Sequence, residues 1–153
     1  MLTVNDLIAI EEIKQLKARY FRSVDTFNLE GWLDCFTHDI EATFEASVRT
    51  SNDQELTSVR FSGIAEMKGW WQGNLSRKQS VHHGHMPEIT ILSNNEASGI
   101  WAMEDIVEFS DSLLWGYGHY HERYRRADDK WRIAALHLTR TRLSHTRRDS
   151  SFL

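Results

Sequence analysis

The sequence predicts a single α+β domain in which helices come first and a strongly bent sheet follows, with the helices covering one face of that sheet. Three observations predict it. Apolar residues recur at helical spacing near the start, four β-type segments separated by short turns fill the second half, and no repeat, proline-rich linker or low-complexity run divides the chain. The size agrees, because 153 residues is the length of one domain, whereas two normally need roughly 200 or more.

Between residues 4 and 27, Leu7, Ile10, Ile13, Leu16, Tyr20, Val24 and Phe27 recur at helical intervals with Glu11, Glu12, Lys14 and Lys17 between them. This predicts a long helix with one buried face. Asn28 is a natural N-cap for a second, short helix carrying Trp32, Leu33, Cys35 and Phe36 and ending near Thr37, His38 and Asp39. Residues 40–48 alternate loosely, Ser51-Asn52-Asp53-Gln54 supplies turn residues, and a second short strand is expected over 56–61. From Gly63 to Trp71 the spacing is helical again, although Gly69 and Gly73 each weaken a helix by roughly 1 kcal/mol relative to Ala. Strands are then expected over 81–92, 97–109, 114–126 and 131–145, with turns at Ser93-Asn94-Asn95, at Asp111 and Ser112, and at Asp128-Asp129-Lys130. Short connections between consecutive strands imply an antiparallel meander. The domain is expected to span 1–145, followed by a short polar tail over 146–153 that frays.

Composition excludes several function classes. With 41% hydrophobic and 26% charged residues, the chain is neither disordered, collagen-like, coiled-coil nor a disulfide scaffold. Its net charge of −4 lacks the basic surplus of a nucleic-acid binder. Cys35 is the only cysteine, so no internal disulfide forms and no Cys/His finger spacing exists. The first residues pass straight into the amphipathic pattern without a basic n-region and apolar h-region. No apolar run approaches the roughly 18 residues of a membrane span. A cytoplasmic protein without nucleic-acid or membrane partners is expected. There is no P-loop, dinucleotide fingerprint or G-x-S-x-G elbow.

Candidate chemistry lies where polar residues interrupt apolar elements. Gly99, Trp101, Met103 and Asp105 share one strand parity, so Asp105 is a candidate for burial. A buried carboxylate needs a donor opposite it. His82, His83 and His85 form the densest titratable cluster in the chain. His82 paired with Asp105 is the arrangement expected for general acid–base work, the carboxylate fixing the tautomer of the ring and stabilising the imidazolium. The competing reading leaves individual histidines exposed or merely hydrogen-bonded. A metal is the rival use of His82, His83, His85, Asp105, His119 and His121, since His83/His85 and His119/His121 each point one way. Without finger spacing or an H-E-x-x-H helix, no metal is expected.

Tyr20 and Asp25 lie where the first helix ends. The phenol can donate to a substrate oxygen and Asp25 can orient it or bind substrate, with core packing and capping as competing roles. Trp70, Trp71, Trp101, Trp115, Tyr117 and Tyr120 can line a pocket for a flat ligand or simply fill the core. The late arginines, Arg140 among them, are expected on a solvated outer face balanced by Glu104, Asp105, Glu108 and Glu122.

The order of these segments resembles the SnoaL-like branch of the nuclear transport factor 2-like superfamily. The resemblance rests on Ile13 to Asp25 in the first helix, Trp32-Leu33-Asp34-Cys35-Phe36-Thr37-His38-Asp39 after it, His82-His83-Gly84-His85-Met86-Pro87-Glu88-Ile89, and Ala97-Ser98-Gly99-Ile100-Trp101. It continues in Gly118-His119-Tyr120-His121-Glu122-Arg123-Tyr124 and Lys130-Trp131-Arg132-Ile133. It implies helices wrapped against a curved mixed, mostly antiparallel sheet as a cone with a pocket inside. It further implies Tyr, His and Asp chemistry without metal or organic cofactor, as in scytalone and bile-acid dehydratases. Tyr20, Asp25, His82 and Asp105 match those catalytic groups, and His83, His85, Trp71, Trp101, Trp115 and His119 are expected to line the pocket. The implied function is a cofactor-independent lyase, dehydratase-like, or an isomerase acting on a small cyclic or aromatic substrate, in a homodimer or homotrimer. A non-catalytic binding module and the small subunit of an aromatic-ring oxygenase are the alternatives.

Overall fold

A computed structural model describes residues 1–49, 56–73 and 77–147. The expected turn at Ser51-Asn52-Asp53-Gln54 and residues 148–153 of the expected tail lie outside the described residues, while Thr146 and Arg147 continue the last strand.

Helix α1 (Val4–Asp25) opens with a capping box in which Thr3 accepts the Asp6 N–H at 3.2 Å and Asp6 accepts the Thr3 N–H at 2.8 Å. It stops before Phe27, which adopts φ 56° in the left-handed region. Ile13, Leu16, Tyr20 and Val24 are buried along one face. Lys17, expected among the polar residues between them, is fully buried on that same face. Asn28 caps α2 (Leu29–Leu33) by accepting the Gly31 N–H at 2.9 Å. This helix is shorter than expected because β1 (Phe36–Arg49) starts at Phe36, whose backbone pairs with β6.

Strand β2 (Leu56–Ser62), helix α3 (Ile64–Gly73) and strands β3 (Arg77–Ser93), β4 (Glu96–Phe109), β5 (Ser112–Ala127) and β6 (Lys130–Arg147) follow. The six strands form one curled sheet in the order β2-β1-β6-β5-β4-β3. The meander is present from β3 to β6, and the β1–β6 pair is parallel, so the sheet is mixed. Burial alternates along β4 and β5 with period two, which gives the sheet an inner face carrying Trp101, Met103, Tyr120 and Tyr124. That face packs with Ile13, Leu16 and Tyr20 of α1, Trp32 of α2 and Met67 and Trp71 of α3 into one core. The Trp32 and Trp71 rings lie 4.7 Å apart. No described helix is long and apolar enough to cross a membrane.

Gly118 sits where the β5–β6 register shifts. A Cβ there would stand 1.8 Å from the Thr139 carbonyl oxygen, a clash with backbone rather than with a side chain that can rotate away. Gly118→Ala is expected to cost about 3 kcal/mol, the upper range for forced overpacking. On α3, a Cβ at Gly69 meets nothing within 4 Å, so Gly69→Ala is expected to gain up to about 1 kcal/mol. Chemical denaturation of the two variants checks this contrast, and coincident midpoints would refute it.

Candidate active site

The last residue of α1, Asp25, meets the inner face of β3. Period-two alternation points Ser80 and His82 to the same side, and both bond the Asp25 carboxylate. The His82 ring nitrogen Nδ1 lies 2.6 Å from Asp25 Oδ1, the His82 backbone N–H donates to Oδ2 at 2.9 Å, and the Ser80 hydroxyl donates to Oδ1 at 3.0 Å. Burial pushes the Asp25 carboxyl up, but hydrogen bonding and charge from His82, with the Ser80 bond, outweigh it and hold the group below its ordinary range. An ionised Asp25 only accepts, so Nδ1 carries a proton, and in the neutral ring Nε2 keeps the lone pair. The side chains are 11% and 22% exposed, shielded yet reachable. Arg77 stands close by, its guanidinium over the rings of Phe27 and Trp71 at 4.7 and 4.4 Å and donating to the Val24 carbonyl at 3.2 Å.

The carboxylates are paired differently from the expectation. Asp105 lies directly opposite His82 in the β3–β4 register, and it is buried as its parity implies. Its partner is nevertheless Arg140 of β6, which donates from Nη1 at 2.7 Å and Nη2 at 2.8 Å. The intervening strand explains the reach, for a Cβ at Gly116 of β5 would stand 2.2 Å from Arg140 Nη1 and 2.3 Å from Asp105 Oδ1. The missing side chain leaves a slot for the ion pair. Arg140 also donates through Nε to the Glu45 carbonyl at 3.3 Å. Arg140 and Asp105 are therefore not on a solvated outer face: their side chains are 8% and 4% exposed. Planar, bidentate pairing holds the guanidinium in one orientation against Asp105, the register partner of His82.

Tyr20 is placed in the core, not at the dyad. Its ring packs edge-on against Phe36 and Tyr120, and burial, with the nearby Glu122 charge, pushes its phenol well above the usual range. Glu122, expected outside, is also buried. Lys17 Nζ donates to Glu122 Oε1 at 2.5 Å, Tyr124 donates to Oε2 at 2.5 Å, and Trp101 Nε1 donates to the Tyr124 hydroxyl at 2.8 Å. The Lys17 ammonium lies 3.5 Å from the Tyr120 ring centroid. Sequence reasoning missed Lys17, Glu122 and Arg140 as inward groups. The signal was available, because Lys17 falls at helical spacing from Ile13, Tyr20 and Val24, and Glu122 shares parity with Tyr120 and Tyr124.

Of the residues expected to line the pocket, Trp71 and Trp101 are on the inside. His83, His85, Trp115 and His119 are on the opposite, outer face, because each has the parity of exposed neighbours on β3 and β5. The set considered as a metal centre is thereby split across the sheet. On the inner side the donors do not suit a cation, since Asp25 is filled by three hydrogen bonds and Asp105 is neutralised by Arg140.

Residues 5–137 match the family model of the SnoaL-like domain. Among solved structures, a provisionally named scytalone dehydratase from Novosphingobium aromaticivorans is 18% identical with a TM-score of 0.81, over 94% of this chain and 91% of that one. A provisionally named aromatic ring hydroxylase from the same species is 19% identical with a TM-score of 0.78, over 95% and 96% of the two chains. A type 2 hexachlorocyclohexane dehydrochlorinase is 16% identical with a TM-score of 0.76, over 94% and 92%. At these identities the structural likeness concerns the fold, while the family model spans most of the sequence. The chain belongs to the SnoaL-like family and has the curled-sheet fold of the nuclear transport factor 2-like superfamily.

Proposed function

We propose that this protein is a cofactor-independent lyase that eliminates water or a comparable small leaving group from a small, largely apolar cyclic substrate. The observation that carries the reading is the His82–Asp25 pair, in which one carboxylate bonds the imidazole Nδ1, the His82 backbone N–H and the Ser80 hydroxyl, and Nε2 has no hydrogen-bond partner among the described residues. Nε2 takes a proton from carbon, the C–H electron pair becomes the new C=C bond, and the leaving group departs with its own bonding pair. Asp25 stabilises the imidazolium formed. For a hydroxyl leaving group the imidazolium returns the proton, so water departs and His82 is regenerated. Arg140, fixed by Asp105, supplies a shielded positive charge where negative charge develops on the substrate. Asp25 thus takes the orienting role expected of Asp105, and Asp105 positions Arg140.

The dehydratase and dehydrochlorinase names among the structural neighbours describe eliminations, which favours this reaction type over isomerisation. The protein is to be incubated with hydroxylated and chlorinated aromatic, alicyclic and steroid-like compounds, followed by mass spectrometry. Loss of the mass of water or hydrogen chloride from one class is expected. Compounds retained at unchanged mass would overturn the lyase reading in favour of a binding module, and co-purification with a larger iron-containing chain would favour the oxygenase-subunit reading.

A further inference from the structure

The outer face of the sheet carries a second cluster of titratable groups that the elimination chemistry does not use. His83 and His85 alternate onto that face of β3, their ring centroids 6.0 Å apart. Glu104 of β4 is the register partner of His83, with its Oε2 3.9 Å from His83 Nδ1. One ligand atom from each of the three residues lies within 4.8 Å of the others. We propose that His83, His85 and Glu104 form a binding site for a divalent transition metal of the zinc, nickel or copper class, on the opposite side of the sheet from the His82–Asp25 dyad.

The donor set decides the metal class. Two imidazoles and one carboxylate suit zinc, nickel or copper, whereas magnesium and calcium require a shell of oxygens. A tetrahedral ion with bonds of about 2.0–2.2 Å holds its donors roughly 3.4 Å apart. The ligand atoms, within 4.8 Å of one another, have to draw closer to reach that spacing, and His83, 53% exposed, has room for the rotation this asks. Glu104 is already oriented. Its Oε1 accepts the Trp115 indole N–H at 2.6 Å, which leaves Oε2 toward His83. An outer-shell donor of this kind holds a ligating carboxylate in register. Three protein ligands leave one position for water or an exchangeable group.

Two other histidines on this face serve as controls, because they have partners of their own. His137 bonds Glu45 at 2.9 Å and His121 bonds Thr139 at 3.3 Å. The site the sequence pattern offered, two histidine pairs facing each other, is not the one formed, since Ala102 separates His85 from His119 in the register and Glu104 is nearer.

The test is calorimetric titration of the full chain with zinc chloride and with nickel chloride near neutral pH, for the parent protein and for H85A, E104Q and H121A. One saturable equivalent per chain is expected. H85A and E104Q should weaken it by more than the roughly 10–100-fold that loss of an outer-shell partner alone produces, and H121A should bind as the parent does. Quenching of tryptophan fluorescence by nickel should diminish in W115F. Absence of saturable binding, or equal weakening in H121A and H85A, would overturn the proposal in favour of a simple His83–Glu104 ion pair or diffuse histidine binding. His85 is exposed, and circular dichroism of each variant verifies the fold.

Discussion

His82→Ala is expected to lower turnover by about 10²–10⁴-fold, the range for loss of a positioned general base, while the midpoint of unfolding moves little. The ring is shielded but not enclosed, 11% exposed on the inner face, and its backbone N–H, which also holds Asp25, survives the substitution. Asp25→Asn should be comparably damaging for a different reason. An amide can donate to Nδ1, which drives the ring proton to Nε2 and removes the lone pair that takes the substrate proton. Steady-state kinetics on the substrate class found by mass spectrometry, set beside denaturant unfolding, separate the readings. If activity and stability fall together in both variants, the pair is a structural contact and the proposed mechanism fails.

The largest effect on stability is expected at Glu122. Its carboxylate neutralises Lys17, which is fully buried among Tyr20, Phe21 and Tyr120, and it also accepts from Tyr124. Burial pushes the Lys17 ammonium toward its neutral form, and the charge and hydrogen bond of Glu122 oppose that. Glu122→Leu leaves the cation uncompensated and should cost about 3–5 kcal/mol. Adding Lys17→Met removes the stranded charge and should restore most of the loss, because an apolar pair of similar volume often matches a buried ion pair. Urea unfolding of the single and double variants measures the coupling. A double variant no more stable than the single one would contradict this account.

The helices and strands were legible because each has a clean period, 3.6 in α1 and two in β3 to β6. What periodicity cannot carry is the pairing between distant elements. The parallel β1–β6 contact has no local signature, so strand periodicity alone implied a simple meander, and the mixed sheet was expected only through the family resemblance. The site divides in the same way. Parity indicated that Asp105 is buried, yet its partner was decided by Gly116, an absence of side chain on the strand between Asp105 and Arg140. His82 was legible as residue type, but Asp25 reaches it only because α1 packs against β3 with its last residue at His82, a tertiary fact. The family resemblance put His83, His85, Trp115 and His119 in the pocket, although their strand parity places them with exposed neighbours.

The position of β6 in the sheet order also bears on how the chain reaches its native state. The last strand in sequence lies between β1 and β5, so the β1–β2 pair and the β3–β4–β5 meander have no sheet contact with each other until β6 inserts. A nascent chain on the ribosome that has not yet released β6 holds two part-sheets, each with an open edge of unpaired N–H and C=O groups. Such edges are templates for pairing with other chains, and joining them late is a long-range, slow step. Premature termination ahead of β6 therefore yields two adhesive fragments of sheet, not a smaller version of the cone.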